Sequence, residues 1–120
     1  MIQTKEMMLG DIVRYKFAGE EWFNARVREL WLGGIVLEEI NGEYEPIEIP
    51  MKDIEPIPLT REILKKNFPF IDGLAWWPQD DAFHCESRTD GDIMFSGQFR
   101  WVHQLQHAMK LAGIEKKITI

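Results

Sequence analysis

The sequence predicts a mixed α+β protein. A small SH3-like β-barrel spans residues 1–57, and a small α+β unit with one long C-terminal helix spans residues 58–120. Three observations lead there. The first half alternates apolar and polar residues in short runs separated by turn signals, the period-two pattern of half-buried strands. The second half closes with "FRWVHQLQHAMKLAG" (Phe99–Gly113), whose apolar residues recur at helical spacing. Between them, "IEPIPLT" (Ile54–Thr60) is a stiff, proline-spaced boundary. A chain of 120 residues holds one domain or two very small units sharing a core.

Taken in order, "DIVRYKF" (Asp11–Phe17) is a β-branched and aromatic strand, followed by a turn through Gly19. "WFNARVREL" places Phe23, Ala25 and Val27 on one face and Asn24, Arg26 and Arg28 on the other. Gly33-Gly34 supplies the positive φ of a tight hairpin into "IVLEEI" (Ile35–Ile40). Asn41-Gly42 is the strongest turn signal, because both residues tolerate the left-handed region a type I′ turn requires. "EYEPIEI" (Glu43–Ile49) returns antiparallel, with Pro46 on an edge or at a bulge because it has no N–H to donate. "PMKDIEPIP" then reads as a helical turn and a last short strand. Short strands joined by tight turns hide their edges by curling into a barrel.

In the second half, Thr60 caps a short helix over "REILKKNF", with Glu62 in its first turn and Pro69 at its end. "LAWWP", "AFHCES" and "DIMFSG" are three short strands, the last two joined through Asp90-Gly91. On the long helix, Trp101, Val102, Leu105, Ala108, Met109 and Ala112 form the apolar stripe, and Gly113 stops it. "KKITI" (Lys116–Ile120) reads as a final strand returning to the sheet.

Hydrophobic residues at 45% and charged residues at 28% describe a folded, soluble chain. No apolar run approaches the roughly 20 residues of a membrane helix. The N-terminus has no signal-peptide pattern, and the lone Cys85 excludes an intrachain disulfide. Both point to the cytoplasm, with no membrane partner. The net charge of −6 is uneven: residues 38–55 hold seven acids (Glu38, Glu39, Glu43, Glu45, Glu48, Asp53, Glu55) against Lys52, whereas residues 98–120 come to +3. A nucleic-acid binder needs a basic stripe to release counterions from phosphate. The acidic block argues against that role and the basic end leaves room for it.

Four groups of residues invite a chemical reading. His103 and His107 stand at i and i+4, a spacing that suits zinc. Yet Gln104 follows the first histidine, and a zinc site needs a third protein ligand. These two are therefore placed on the wet side of an ordinary helix, with no cofactor expected. His84-Cys85 resembles a base beside a thiol, but strand neighbours point to opposite faces, so Cys85 reads as a small buried hydrophobe. The turns "QDD" (Gln79–Asp81) and "DGD" (Asp90–Asp92) gather four carboxylates, which suit acid–base work or a hard cation. Asp-rich turns are also what backbone hydrogen bonding favours. No catalytic residue is assigned. Finally, Trp76-Trp77 on one strand must send one indole inward and the other outward, and an outward tryptophan is a typical protein-contact residue. Trp76, Trp77 and Trp22, with Glu43, Glu45 and Glu48 of the acidic block, are the candidate contact residues.

Two blocks carry a family resemblance. "PIPLTREIL" (Pro56–Leu64) followed by "NFPF", and "WVHQLQHAMKLAGIEKKITI" (Trp101–Ile120), resemble small proteins from phages and mobile elements of gut Bacteroidetes. Those proteins show "PIPLTEEIL" and "GF", and close with "YVHQLQNLYFALTG" and a short strand. Ile57–Leu64 and Val102–Gln106 match most closely, and "MMLGDIVRY" takes the opening place of "LRIGN". His107, Met109 and Lys110 depart from the family's asparagine and aromatic residues. The resemblance implies a phage or prophage accessory protein in a bacterial host, with no activity, cofactor or site residue to transfer. Its histidine at the place of His103 stands without a second one.

Together these readings favour a non-enzymatic module that docks on a host or phage protein. A nucleic-acid-associated small barrel comes second. A small enzyme using Cys85 or the Asp-rich turns comes third.

Overall fold

Ile12, Val13 and Tyr15 are β-formers that begin an antiparallel sheet in the computed structural model, which describes residues 7–16, 21–31, 34–40, 45–68, 74–89, 91–114 and 116–120. The turns expected at Gly19 and Asn41-Gly42, Gly33 of the Gly33-Gly34 hairpin, Pro69, Asp90 and the candidate contact Glu43 lie outside the described residues. The chain divides into two units, Met1–Ile57 and Pro58–Ile120.

The first unit holds β1 (Ile12–Lys16), β2 (Trp22–Leu30), β3 (Gly34–Glu39), β4 (Ile47–Pro50), a 3-10 turn (Met51–Asp53) and β5 (Ile54–Pro56). They form one antiparallel sheet in the order β4-β3-β2-β1-β5, curled as a half-barrel. Its concave face buries Met7, Val13, Ala25, Val27, Ile35, Leu37, Ile49 and Ile54 in one aliphatic cluster. β2 supplies Ala25 and Val27 as its alternation requires. Phe23 departs from that expectation: it is 45% exposed and packs against Tyr15 instead, ring centroids 5.7 Å apart. It sits near the start of β2, in register with Tyr15 close to one end of the β1–β2 ladder. A register shift between Val27 and Glu29 bends β2, as a bulge does. Asp11 closes the turn before β1, its carboxylate accepting from the Met8 N–H at 2.8 Å.

The second unit holds α1 (Arg61–Asn67), β6 (Leu74–Gln79), β7 (Ala82–Thr89), β8 (Asp92–Phe99) and α2 (Val102–Leu111). The three strands form an antiparallel sheet in that order. The Thr60 hydroxyl caps α1 by accepting from Ile63 N–H at 3.2 Å. The C-terminal helix is ten residues, shorter than expected, because Phe99 belongs to β8 and the chain turns at Arg100 and Trp101. The Gln104 side-chain oxygen accepts from the N–H groups of Arg100 and Trp101, at 2.9 and 3.1 Å, which fixes the helix start. At its end, Gly113 adopts φ 75° and the Gly113 and Ile114 N–H groups bond back to Lys110 and Met109, a Schellman closure.

The expected final strand does not form: residues 116–120 pair with no strand among the described residues. The Asn67 side chain takes the place of a ladder. Its Nδ2 donates to the Thr119 carbonyl at 2.6 Å and to Ile63 at 2.8 Å, and its Oδ1 accepts from the Thr119 N–H at 2.7 Å. Ile118 is buried beside it, and the Lys116 ammonium lies 4.9 Å from the Phe68 ring centre. One carboxamide holding both polar groups of a residue satisfies the backbone as a strand partner does.

Candidate functional site

The pleat of β6–β8 sorts its side chains into two faces. Leu74, Trp76, Phe83, Cys85, Phe95 and Phe99 share the inner one. Trp76 is half-buried there, its indole N–H reaching the Phe68 carbonyl at 3.4 Å and its ring edge-on to Phe83. It anchors the inner face of the unit. Cys85 is fully buried, and desolvation pushes its thiol up to about 12. A thiol that stays protonated at neutral pH is no nucleophile. His84 points the other way, as neighbours on a strand must.

The outer face carries Trp77, His84 and Gln98 in one cross-strand row. Trp77 is 44% exposed and stacks on His84, centroids 4.5 Å apart with 21° between the planes. His84 Nε2 lies 3.1 Å from the Ser96 hydroxyl, and Gln98 donates to the Gln79 carbonyl at 3.0 Å. Glu86 and Arg88 form an ion pair at 3.1 Å on the same face. Because β6 is an edge of this sheet, the indole surface turned away from His84 has no neighbouring strand among the described residues. Beyond Gln98 the face runs into a shallow depression of about 360 Å³ lined by Ala82, Gln98, Arg100, Trp101 and Gln104.

The other expected contact residues belong to the first unit. Trp22 is half-buried on β2 with two cations over its ring, the Arg14 guanidinium at 5.0 Å and the Lys16 ammonium at 4.7 Å from its centre. Of the acidic block, Glu45 and Glu48 are exposed. Glu38 faces Arg26 across β2–β3, and Glu55 pairs with Arg14 at 3.1 Å. The sheet thus sets Arg14 and Arg26 beside two of the acids of the linear run.

The wet-face expectation for the two histidines is corrected in half. His103 is 4% exposed, while His107 is half-buried, with ring centroids 5.5 Å apart. The apolar stripe itself forms, burying Val102, Leu105 and Met109. His103 is buried on its flank, which helical periodicity does not encode. No group of three His, Cys, Asp or Glu side chains fit to hold a metal ion occurs among the described residues. The carboxylate turns also stay apart. Asp80 and Asp81 precede β7 and Asp92 follows it, so the eight-residue strand separates them by roughly 25 Å at its usual rise. Asp80 adopts φ 55°, a left-handed turn conformation that aspartate tolerates.

Trp31 and the depression are not singled out by sequence pattern. Trp31 is 56% exposed just past the end of β2. Its position between a strand end and two glycines is the available signal. Comparison with protein-family models, with curated proteins and with solved structures gave no match. No helix among the described residues is long and apolar enough to cross a membrane.

Proposed function

We propose that this protein is a non-enzymatic binding module that docks on another protein through the outer face of β6–β8. The observation that carries the reading is Trp77: a large, half-exposed indole set rigidly by its stack on His84, with polar side chains around it. Rigid aromatic anchors ringed by polar groups concentrate binding energy in protein interfaces. The protonated Cys85 thiol and the separated aspartates speak against an enzyme. We further read the half-barrel as SH3-like, since the strand order and the 3-10 turn before β5 suit that topology. The blocks at Ile57–Leu64 and Val102–Gln106 place the protein, in this reading, among phage or prophage accessory proteins acting in the bacterial cytoplasm.

The test is a pull-down from host lysate with tagged full-length protein, run with and without nuclease, beside Trp77→Ala. A nuclease-resistant partner kept by the wild type and lost by Trp77→Ala is the expected result. Retention of nothing at micromolar bait, or equal retention by both proteins, rejects it. Partners that vanish with nuclease and weaken with salt would move the role to nucleic acid, through the basic residues 98–120.

A further inference from the structure

The depression of about 360 Å³ at the end of the outer face is lined by Ala82, Gln98, Arg100, Trp101 and Gln104. It is at the small end of ligand sites, with room for a single residue of a partner and not for a helix or a strand. Its lining holds a cation and no acid. Which polar atoms remain for a ligand follows from the bonds already made within the fold.

Gln104 Oε1 accepts from two main-chain N–H groups, those of Arg100 and Trp101, at 2.9 and 3.1 Å. An N–H demands an oxygen, so this carboxamide has one orientation and its Nε2 is the end left over. Gln98 is oriented the opposite way. Its Nε2 donates to the Gln79 carbonyl at 3.0 Å, so its Oε1 is the end left over. Arg100 is exposed, and among the described residues its guanidinium joins no ion pair. Its main chain is fixed at both polar groups: the N–H goes to Gln104, and the carbonyl accepts from the Leu59 N–H at 2.9 Å. The side chain is what Arg100 has left to give. The depression therefore offers a charged donor, a neutral donor and one acceptor, with the Trp101 indole and the Ala82 methyl beside them.

We infer that this depression takes the free C-terminal residue of a partner polypeptide, one with an apolar last side chain. The inference rests on the docking reading and names what is docked. A carboxylate meets the guanidinium fork and the Gln104 Nε2–H together, a charge-assisted set. The amide N–H of the same last residue supplies the donor that Gln98 Oε1 lacks. Its side chain lies on Trp101 and Ala82. At a chain end these three groups leave one Cα, so a depression sized for one residue meets them all. Capture of chain ends by their carboxylate is a recurrent mode of peptide recognition. An aspartate or glutamate side chain spends its carbons on reaching the arginine and leaves the indole uncovered. A bare anion brings neither an amide N–H nor apolar surface.

The experiment is an NMR titration of the full-length protein with an acetylated Gly-Ser-Leu tripeptide bearing a free carboxylate. The same tripeptide amidated, an acetylated and amidated Gly-Glu dipeptide, and acetate run beside it. The free acid is expected to shift the side-chain amide signals of Gln98 and Gln104 and the Trp101 indole N–H, with a Kd of about 1 mM or below. Amidation and Arg100→Gln are each expected to weaken binding about tenfold. Arg100→Lys keeps the charge without the fork and is expected to fall between them and the wild type. The amidated peptide needs no variant, so it decides the matter if an Arg100 variant does not fold. A free acid that moves none of these signals at about ten times that concentration overturns the inference. So do equal shifts from the amidated peptide, the glutamate side chain or acetate, and so does an undiminished response in Arg100→Gln. Trp77→Ala is expected to bind the tripeptide as the wild type does, since Trp77 does not line the depression. Tripeptide binding beside an empty pull-down upholds this site and removes the Trp77 reading. A pull-down partner lost by Trp77→Ala, with no tripeptide binding, upholds that reading and rejects this site.

Discussion

Trp22 and Trp77 are the same residue in the same setting, the outer face of a strand, and the two sheets use them differently. In the five-stranded sheet Trp22 lies under Arg14 and Lys16, and Arg14 also reaches Glu55. The indole is absorbed into a network that neutralises the surface. In the three-stranded sheet Trp77 stacks on His84, and no strand among the described residues lies on its other side. What decides whether a surface tryptophan becomes mortar or an anchor is thus the cross-strand partner, which is a property of register and not of the local sequence. The edge strands differ too: both in the larger sheet end on a proline, Pro50 and Pro56, whereas in the smaller sheet Pro78 lies within β6 and β8 has none.

The largest expected effect sharpens this contrast in the cores. Leu37→Ala removes a fully buried side chain from the aliphatic cluster and is expected to cost about 3 kcal/mol, read as lost amide protection across β1–β5. Comparable loss of protection in β6–β8 would break the division into two units. Next comes a pH effect that begins in the smaller sheet. Cys85 keeps its proton when folded, so the stability it lends is whole below its unfolded value of 9.0 and is lost as pH climbs toward about 12. Urea unfolding at neutral pH and at pH about 11 is expected to show that loss, with a shallower decline in Cys85→Ala. Tyr15, raised first by desolvation and then by Glu39, gives the same sign in the larger sheet above 10.0. The smallest effect returns to the tryptophans. Trp22→Ala is expected to cost about 1 kcal/mol through its lost cation contacts, and Trp77→Ala no more than about 0.5 kcal/mol. Equal costs in chemical denaturation would mean that Trp77 is structural and that the comparison fails.

Much of this architecture is legible in the residues because it rests on short periods. Ala25 and Val27 alternate inward, "LAWWP" sends its tryptophans to opposite faces, and Thr60 caps the helix that follows it. What is not legible depends on partners distant in the chain. His103 is polar and one step off the apolar stripe, yet it is buried. "KKITI" has strand-like letters, yet no strand edge meets it, and a carboxamide from residue 67 does instead. The acidic block looks unrelieved along the chain, but the sheet brings Arg14 to Glu55 and Arg26 opposite Glu38.

The grip of Asn67 on Thr119 has a consequence for how this chain can change over time. The carboxamide holds main-chain atoms, which every amino acid shares, and only Ile118 along that stretch is held by burial of its side chain. Lys117 and Thr119 are exposed, so their side chains are free to drift while the path of the tail stays the same. The tail is therefore a place where new surface chemistry can be tried without renegotiating the fold.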